Sequence, residues 1–462
     1  MASRNVRETS VKLEFELDLR DQQDELTHLV EEILAEAKRQ GADQAEVSVS
    51  ADSGLSVSVR KGELEHLEFN ADRGFGITLY LGQRKGSAST TDSSASAIAD
   101  TVAAARNIAR FTEEDPCNGL ADAELNPKSL KDLDLFHPWD IDPEGAQTLA
   151  CECEEYGLAV DDRIVNSDGA QVNTNQSLRI YGNSHGFVGA YSGTRHGLSC
   201  VLIGEDQMGM QRDYWYTASR DAEDLESAHQ VGEQAGQRTV GRLSPRSAPT
   251  GTYPVVFAPN MAGGLFGHLI GALSGGALYR RASFLLDSLG TQVLPEWLSL
   301  TERPHLLKSL GSANFDGDGV ATYSKSFVED GVVASYLLGT YSARKLNMKT
   351  TANTGGVFNL DIDGRKTPYA DILKQVDRGM LVTELMGQGV NGVTGDYSRG
   401  AAGFWIENGE ISYPVAEVTI AGNLKDVYRH VVAIGDDVDY RGNVRSGSVL
   451  VEGMTVAGGA QA

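Results

Sequence analysis

Apolar residues in the first quarter of the chain follow two different periods. Leu26, Val30, Ile33 and Ala37 recur three or four residues apart, which predicts an amphipathic helix that ends at Gly41. A period of two, which predicts antiparallel strands, then runs through residues 45–49, 55–59, 64–69 and 76–81. Apolar residues on one helical face predict a second helix near residues 96–111.

Similar patterns continue to residue 243. A third helix is expected near 146–156, alternating positions predict more strands over 163–217, and a long helix is expected over 225–243. The polar segment 244–251 contains prolines and has the composition of a linker. We therefore predict an N-terminal domain over residues 1–243, in which helices pack on a mixed or antiparallel sheet.

The second half of the chain differs from the first, because residues typical of turns occur in it at short intervals. Residues 404–407 and 410–413 flank the dipeptide Asn408-Gly409, which suits the two-residue type I′ turn of a hairpin. A β-rich C-terminal domain is expected over residues 250–462. The fold class predicted for the whole chain is α+β.

Composition and charge narrow the range of partners. The chain has 41% hydrophobic and 23% charged residues, which are fractions typical of folded globular proteins. Its formal net charge is −24. A field of this sign repels phosphates and anionic lipid head groups, so we expect neither nucleic acid nor membrane as a partner. Four cysteines are too few for a disulfide framework, and the first residues contain no apolar leader, which favours the cytoplasm.

One long segment, residues 252–279, contains no Asp, Glu, Lys or Arg, although it includes His268. Its prolines and glycines make it too polar on average to span a bilayer. Gly267, Gly271 and Gly275 recur every four residues, which predicts a buried helix whose glycine stripe packs against another backbone.

Two other patterns suggest metal ligands without defining a site. His185 and His196 lie on neighbouring strand segments and could face each other across a hairpin, but no third ligand accompanies them. The run from Asp316 to Gly319 (DGDG) lacks the remaining oxygen ligands and the flanking helices of a calcium-binding EF-hand. We expect a tight turn there.

Several longer segments carry more specific information. In the first half these are residues 68–70 (EFN), 84–89 (RKGSAS), 181–186 (YGNSHG) and 192–196 (SGTRH). In the second half they are residues 284–290 (FLLDSLG), 341–346 (YSARKL), 383–389 (TELMGQG) and 395–405 (GDYSRGAAGFW). Together they resemble the TldD/PmbA family, also called modulators of DNA gyrase, and within it the PmbA (TldE) branch. The resemblance covers essentially the whole chain.

This resemblance implies a cytoplasmic heterodimer of a TldD-type and a PmbA-type chain, which acts as a zinc peptidase on unfolded or modified peptides. In the TldD-type chain a helix carries His-Glu-x-x-x-His, whose imidazoles hold zinc and whose Glu activates water. The matching positions here are Gly267, His268 and Ala272. The family's catalytic subunit also uses a cysteine near its C-terminus, whereas the last cysteine here is Cys200. We therefore expect no zinc in this chain and zinc in the TldD-type partner.

Three functions remain open from the sequence. The chain could be a non-catalytic subunit that positions peptides or a peptide-binding regulator without catalysis. It could also be an autonomous metallopeptidase, with a divergent site built from His185, His196, His268 and carboxylates that the fold brings together. Tyr397, Arg399 and Trp405 are expected to be exposed beside a hairpin. With His185 and His196, they are the candidate contacts to peptide or partner. The alternative is that residues 395–405 only shape a turn.

Overall fold

The computed structural model describes residues 22–458. The first half is built on a six-stranded sheet in the order β3-β2-β1-β4-β5-β6, in which all neighbouring strands are antiparallel. Its strands are β1 (Gln44–Arg60), β2 (Glu63–Leu81), β3 (Arg84–Thr90), β4 (Ile164–Asn183), β5 (Val188–Asp206) and β6 (Gly209–Ser219).

Four helices cover one face of this sheet: α1 (Gln23–Arg39), α2 (Ala95–Phe111), α3 (Pro143–Leu158) and α4 (Ala228–Gly241). The helices cover this face because the side chains of β1 alternate strictly between the two faces of the sheet. Val47 and Val57 are fully buried under the helices, while Ser48 and Ser58 point to the opposite face. Helices α1 and α2 cover one end of the long strands, and α3 and α4 cover the other end.

The predicted α+β class with an antiparallel sheet is confirmed in this half. All four predicted helices are present, although the last begins at Ala228 because residues 222–224 form a separate 3-10 turn. The predicted strand segments merge in pairs, since residues 45–49 and 55–59 both belong to β1 and residues 64–69 and 76–81 both belong to β2.

The second half contains shorter elements. Its helices are α5 (Pro259–Ala272), α6 (Gly275–Tyr279), α7 (Thr340–Lys345), α8 (Tyr369–Lys374) and α9 (Leu424–Arg429). Its strands are β7 (Gly251–Phe257), β8 (Leu298–Glu302), β9 (Lys325–Glu329), β10 (Val332–Val333), β11 (Leu360–Gly364), β12 (Lys366–Thr367), β13 (Arg378–Met386), β14 (Asp396–Glu407), β15 (Glu410–Asn423), β16 (Val431–Gly435), β17 (Val444–Arg445) and β18 (Val449–Ala457).

The largest sheet of this half closes on itself. Strands follow the order β12-β16-β18-β15-β14-β13-β7, and β18 also pairs with β7, so that five strands form a barrel. A separate five-stranded sheet has the order β10-β9-β8-β11-β17. The predicted hairpin joins β14 and β15 through Asn408 and Gly409, which have φ values of 52° and 78°, as a type I′ turn requires. The β-rich second half is thus confirmed.

The two halves share many contacts. The Arg344 guanidinium on α7 donates hydrogen bonds to the carbonyls of Gly119 at 2.9 Å and Leu120 at 2.6 Å, and the Tyr341 hydroxyl donates one to Asp115 at 2.8 Å. Tyr341 and Arg344 belong to one of the segments that carry the family resemblance. That residues 1–243 and residues 250–462 form two separate domains, each able to fold by itself, stays a prediction.

The Asp316 segment forms the tight turn that its sequence predicts. The Asp316 carboxylate accepts hydrogen bonds from the backbone N–H groups of Asp318 at 3.0 Å and Val320 at 2.9 Å within the turn, and from Thr354 at 2.9 Å across it. Both carboxylate oxygens therefore serve to hold the loop together.

Candidate functional site: the pocket on helix α5

Helix α5 has one packed side and one open side. Leu265, Phe266 and Leu269 are buried in the main core of the second half, and the Tyr428 hydroxyl of α9 donates a hydrogen bond to the Leu265 carbonyl at 2.7 Å. The helix ends at Ala272, and the chain starts a new short helix, α6, at Gly275.

The glycine stripe does not pack as the sequence suggested. A Cβ atom built on Gly267 or Gly271 meets no other atom within 4 Å, so these two glycines face open space. Only Gly275 is tightly packed, since its Cβ would stand 2.6 Å from the Cβ of Ser342. The prediction of a close-packed stripe is therefore wrong for the two glycines on α5.

These two glycines form the floor of a pocket of about 320 Å³. Its walls come from α5, the segment after α6, the loop between β13 and β14, and β14 itself. The lining residues are Gly267, His268, Gly271, Ala272, Ala282, Phe284, Gly387, Gln388, Val390, Gly392 and Arg399.

The charged groups at this pocket are His268 and Arg399. The lining contains no Asp or Glu, and among residues 22–458 the Arg399 guanidinium forms no ion pair, while its Nε is buried without a hydrogen-bond partner. Burial lowers the pKa of the half-buried His268, and the nearby Arg399 charge lowers it further. At neutral pH the permanent charge of the pocket is therefore the single positive charge of Arg399.

Tyr397 lies next to both side chains. Its ring meets the His268 ring edge-on, with 6.1 Å between the centroids. Its hydroxyl is buried, and burial raises the pKa of Tyr397 to about 12 despite the opposing effect of the Arg399 charge. The hydroxyl lies close to Arg399 without forming a hydrogen bond of normal geometry, so it has no partner in the described part of the chain.

Comparison with known proteins assigns this chain to a family. Three family models match consecutive parts of the chain, namely PmbA/TldA metallopeptidase domain 1 over residues 45–109, the central domain over 136–243 and the C-terminal domain over 250–458. The chain is 51% identical to metalloprotease PmbA of Escherichia coli O157:H7 over 417 residues, which are 90% of this chain and 93% of that protein. The chain belongs to the PmbA/TldD family of metallopeptidases.

Other members agree with this assignment. The PmbA homolog of Haemophilus influenzae is 46% identical over 95% of this chain and 98% of its own length, whereas a TldD homolog of Buchnera aphidicola subsp. Schizaphis graminum is 24% identical over 53% and 50%. The crystal structure of a candidate modulator of DNA gyrase from Bacteroides thetaiotaomicron matches with a TM-score of 0.90 and 29% identity, over 95% of this chain and 100% of that one. TldE from Thermococcus kodakarensis shares the fold, with a TM-score of 0.81 and 20% identity over 93% of this chain and 100% of that one.

Three of the segments that carry the family resemblance meet at the pocket on α5. Phe284 comes from the first, Gly387 and Gln388 come from the third, and Arg399 comes from the fourth segment of the second half. Phe284, Gly387 and Gln388 belong to these segments, but the sequence pattern alone does not indicate that they line a site. Only the fold brings them beside His268.

The donors in this pocket do not fit the catalytic zinc ion that the family name implies. Such an ion needs about three side-chain ligands from His, Cys, Asp or Glu, and the lining supplies the His268 imidazole alone. Gly267 and Ala272 occupy the other positions of the motif without donor groups. Between residues 22 and 458, no cluster of three or more such side chains is placed to hold a metal ion.

The other two histidines do not face each other. His185 is exposed in the turn before β5, whereas His196 lies opposite Thr174, eight residues further along that strand than Val188. His196 is buried, and its ring nitrogens contact the Thr174 hydroxyl at 2.9 Å and the His137 carbonyl at 2.8 Å. The expected pairing across a hairpin is wrong, because His196 serves as a buried hydrogen-bonding group.

The expected exposure of the 395–405 segment is also wrong for its aromatic residues. Trp405 is fully buried against Tyr253 and Tyr397 is 2% exposed, because both side chains point from β14 into the core. Arg399 is partly exposed in the pocket. A role of these residues, or of His185 and His196, as contacts to peptide or partner stays a prediction.

A larger cavity, with a volume of about 690 Å³, lies elsewhere between the two halves. Its basic side chains are paired with carboxylates, as Arg441 is with Asp439 at 2.9 Å and Lys308 is with Asp221 at 2.7 Å. No helix in the described part of the chain is long and apolar enough to cross a membrane.

Proposed function

We propose that this chain is the PmbA-type subunit of a heterodimeric zinc metallopeptidase, in which the catalytic zinc belongs to a TldD-type partner. The proposal rests on one observation, the donor set of the α5 pocket. This helix carries the zinc motif in TldD-type chains, and here it offers one imidazole between a glycine floor and an arginine.

The electrostatics of the pocket support the same proposal. A divalent cation beside Arg399 would meet a like charge in a half-buried place, and the lowered pKa of His268 reflects the same penalty for a proton. An arginine without a carboxylate partner is therefore unfavourable for zinc. In the heterodimer this chain would contribute structure and peptide positioning in the cytoplasm, and its partner would activate water.

The test compares the purified chain with a mixture of this chain and the TldD-type chain of the same organism. We expect no stoichiometric zinc and no peptide cleavage from this chain alone, and chelator-sensitive cleavage from the mixture. His268→Ala in this chain should leave the zinc content of the mixed complex unchanged, because the metal would lie in the partner.

The matched control is the replacement of the first motif histidine in the TldD-type chain, which should remove both zinc and activity from the mixture. Stoichiometric zinc in the isolated chain that is lost in His268→Ala would refute the proposal. That result would instead support an autonomous metallopeptidase with a divergent site.

A further inference from the structure

Arg399 differs from the other arginines near the large cavities of this protein. Arg441 and Arg238 are paired with Asp439 at 2.9 Å and Asp213 at 3.1 Å, respectively. Arg399 forms no such pair within residues 22–458, although it is only partly exposed and has a buried Nε without an acceptor. A guanidinium that is partly withdrawn from water and has no carboxylate partner loses hydration without a compensating ion pair, so the pocket offers an unpaired positive charge to an anion.

The Tyr397 hydroxyl lies next to this guanidinium, but Tyr397 is not among the residues that line the pocket. It is buried and unpartnered, and it lies beside Arg399 and the His268 ring. The guanidinium only donates hydrogen bonds, so it can satisfy an anionic oxygen pair but not a cation. The lining contains no acidic side chain, so among residues 22–458 no carboxylate of the lining competes for this guanidinium.

The pocket is also preformed. The loop between β13 and β14 is tied to its surroundings, because the Gly389 carbonyl accepts a hydrogen bond from Ser398 N–H at 2.7 Å and the Gly392 carbonyl accepts one from Phe284 N–H at 2.9 Å. The absence of side chains at Gly267 and Gly271 leaves the floor open. A ligand would therefore enter without displacing a side chain from the floor.

We propose that this pocket binds the carboxylate of a peptide, with Arg399 as its counter-ion and the His268 ring and the Gln388 side chain as neighbouring polar groups. A planar guanidinium matches a carboxylate in a two-pronged arrangement, which makes this pair stronger and more specific than a contact between point charges. A volume of about 320 Å³ is at the small end for ligand pockets and suits one terminal residue rather than a long peptide. The choice of a peptide as the source of the carboxylate rests on the proposed function.

The experiment measures binding to the isolated full-length chain by calorimetry, with three acetylated tripeptides of one apolar sequence. The first has a free C-terminal carboxylate, the second is its C-terminal amide, and the third is an amide with an internal aspartate. We expect the free acid to bind about ten-fold or more tightly than the plain amide, as the loss of a charge-assisted hydrogen bond implies. The aspartate peptide shows whether a side-chain carboxylate is accepted as well.

Two variants test the residues. Arg399→Gln should remove the preference for the free acid, and Gly271→Leu, which keeps the charge but fills the pocket, should remove binding. The matched control is Arg378→Gln, at an exposed arginine on β13, which should leave the preference intact. Thermal melts establish that the variants are folded, and Gly271→Leu keeps the test decisive should Arg399→Gln not fold.

The proposal is overturned if the free acid and the amide bind equally, if neither binds, or if the preference survives in Arg399→Gln. Because binding is measured without partner or zinc, this outcome is separate from the test of the proposed function. A mixture that cleaves peptides while the isolated chain shows no carboxylate preference would leave the heterodimer in place and remove only the pocket.

Discussion

Replacement by alanine should have opposite effects on stability among the three glycines that repeat every four residues. It should stabilise the fold at Gly267 and Gly271 and destabilise it at Gly275. In Gly271→Ala the new methyl group meets no atom within 4 Å. Glycine in a helix interior costs about 1 kcal/mol relative to alanine, partly through the freedom of the unfolded chain. We therefore expect Gly271→Ala, and likewise Gly267→Ala, to raise the free energy of unfolding by about 0.5–1 kcal/mol.

Gly275→Ala should have the reverse effect. Its Cβ would stand 2.6 Å from the Cβ of Ser342 and 2.9 Å from a methyl carbon of Leu338, so α7 and the segment before it must shift. Inserting bulk into a packed core costs about 1–3 kcal/mol, which exceeds any gain in helix propensity at the first position of α6. The free energy of unfolding should fall by that amount.

Urea unfolding followed by tryptophan fluorescence can measure the three variants beside the parent chain, with the denaturant slope checked for constancy. The change in the free energy of unfolding should have opposite signs at positions 271 and 275. If Gly271→Ala lowers the free energy of unfolding by 1 kcal/mol or more, the open side of α5 is packed after all. Equal effects at all three positions would contradict the pocket described above.

Two further predictions concern the junction of the halves and the pH dependence of stability. Arg344→Lys should lower the free energy of unfolding by about 1–3 kcal/mol, because one ammonium cannot reproduce the bonds to Gly119 and Leu120; unchanged urea unfolding would contradict this. Burial, with the nearby Asp318 charge, raises the pKa of Asp316 from 3.8 to about 7. Between these values the folded carboxyl keeps a proton that the unfolded one has lost, so stability should fall as the pH rises towards 7, by at most about 1.4 kcal/mol per unit, and then level off. Asp316→Asn should remove this contribution, and an unaltered pH profile in that variant would refute it.

The sequence predicted the sheet of the first half because its alternation is strong, but it misplaced the strand ends. Residues 50–54 of β1 resemble a turn, since they are small and polar and end in Gly54. In the structure Gly54 is in the interior of the strand, where a Cβ would stand 2.7 Å from the Thr174 carbonyl oxygen and 2.7 Å from the Asn70 side chain. The sequence does not distinguish a glycine that is needed because a neighbouring strand approaches closely from a glycine that is needed in a turn. Only the positions of the neighbouring strands in the structure distinguish the two cases.

The candidate site was predictable in part. The spacing of residues 267–275 indicated a helix, and the family resemblance indicated that its motif positions are Gly267, His268 and Ala272. Spacing alone could not show which side of α5 is open, because that depends on Phe284 and Gln388, which come from distant segments. The aromatic residues of 395–405 were misjudged for a related reason, since β14 alternates and its inward positions lie in the barrel core.

The charge of the whole chain and the charge of the pocket on α5 have opposite signs, and this contrast limits how any ligand is recognised. A net charge of −24 repels an approaching anion at long range, but salt screens that repulsion beyond about 8 Å at physiological ionic strength. Inside the pocket the nearest permanent charge is Arg399, and no acid in the lining weakens it. Attraction at contact therefore exceeds the screened repulsion only for a ligand that reaches the guanidinium itself. The same positive charge would oppose Zn²⁺ at the helix positions that the family resemblance aligns with the zinc motif of TldD-type chains. One arginine beside a lone imidazole thus favours an anion and disfavours a metal ion at this position.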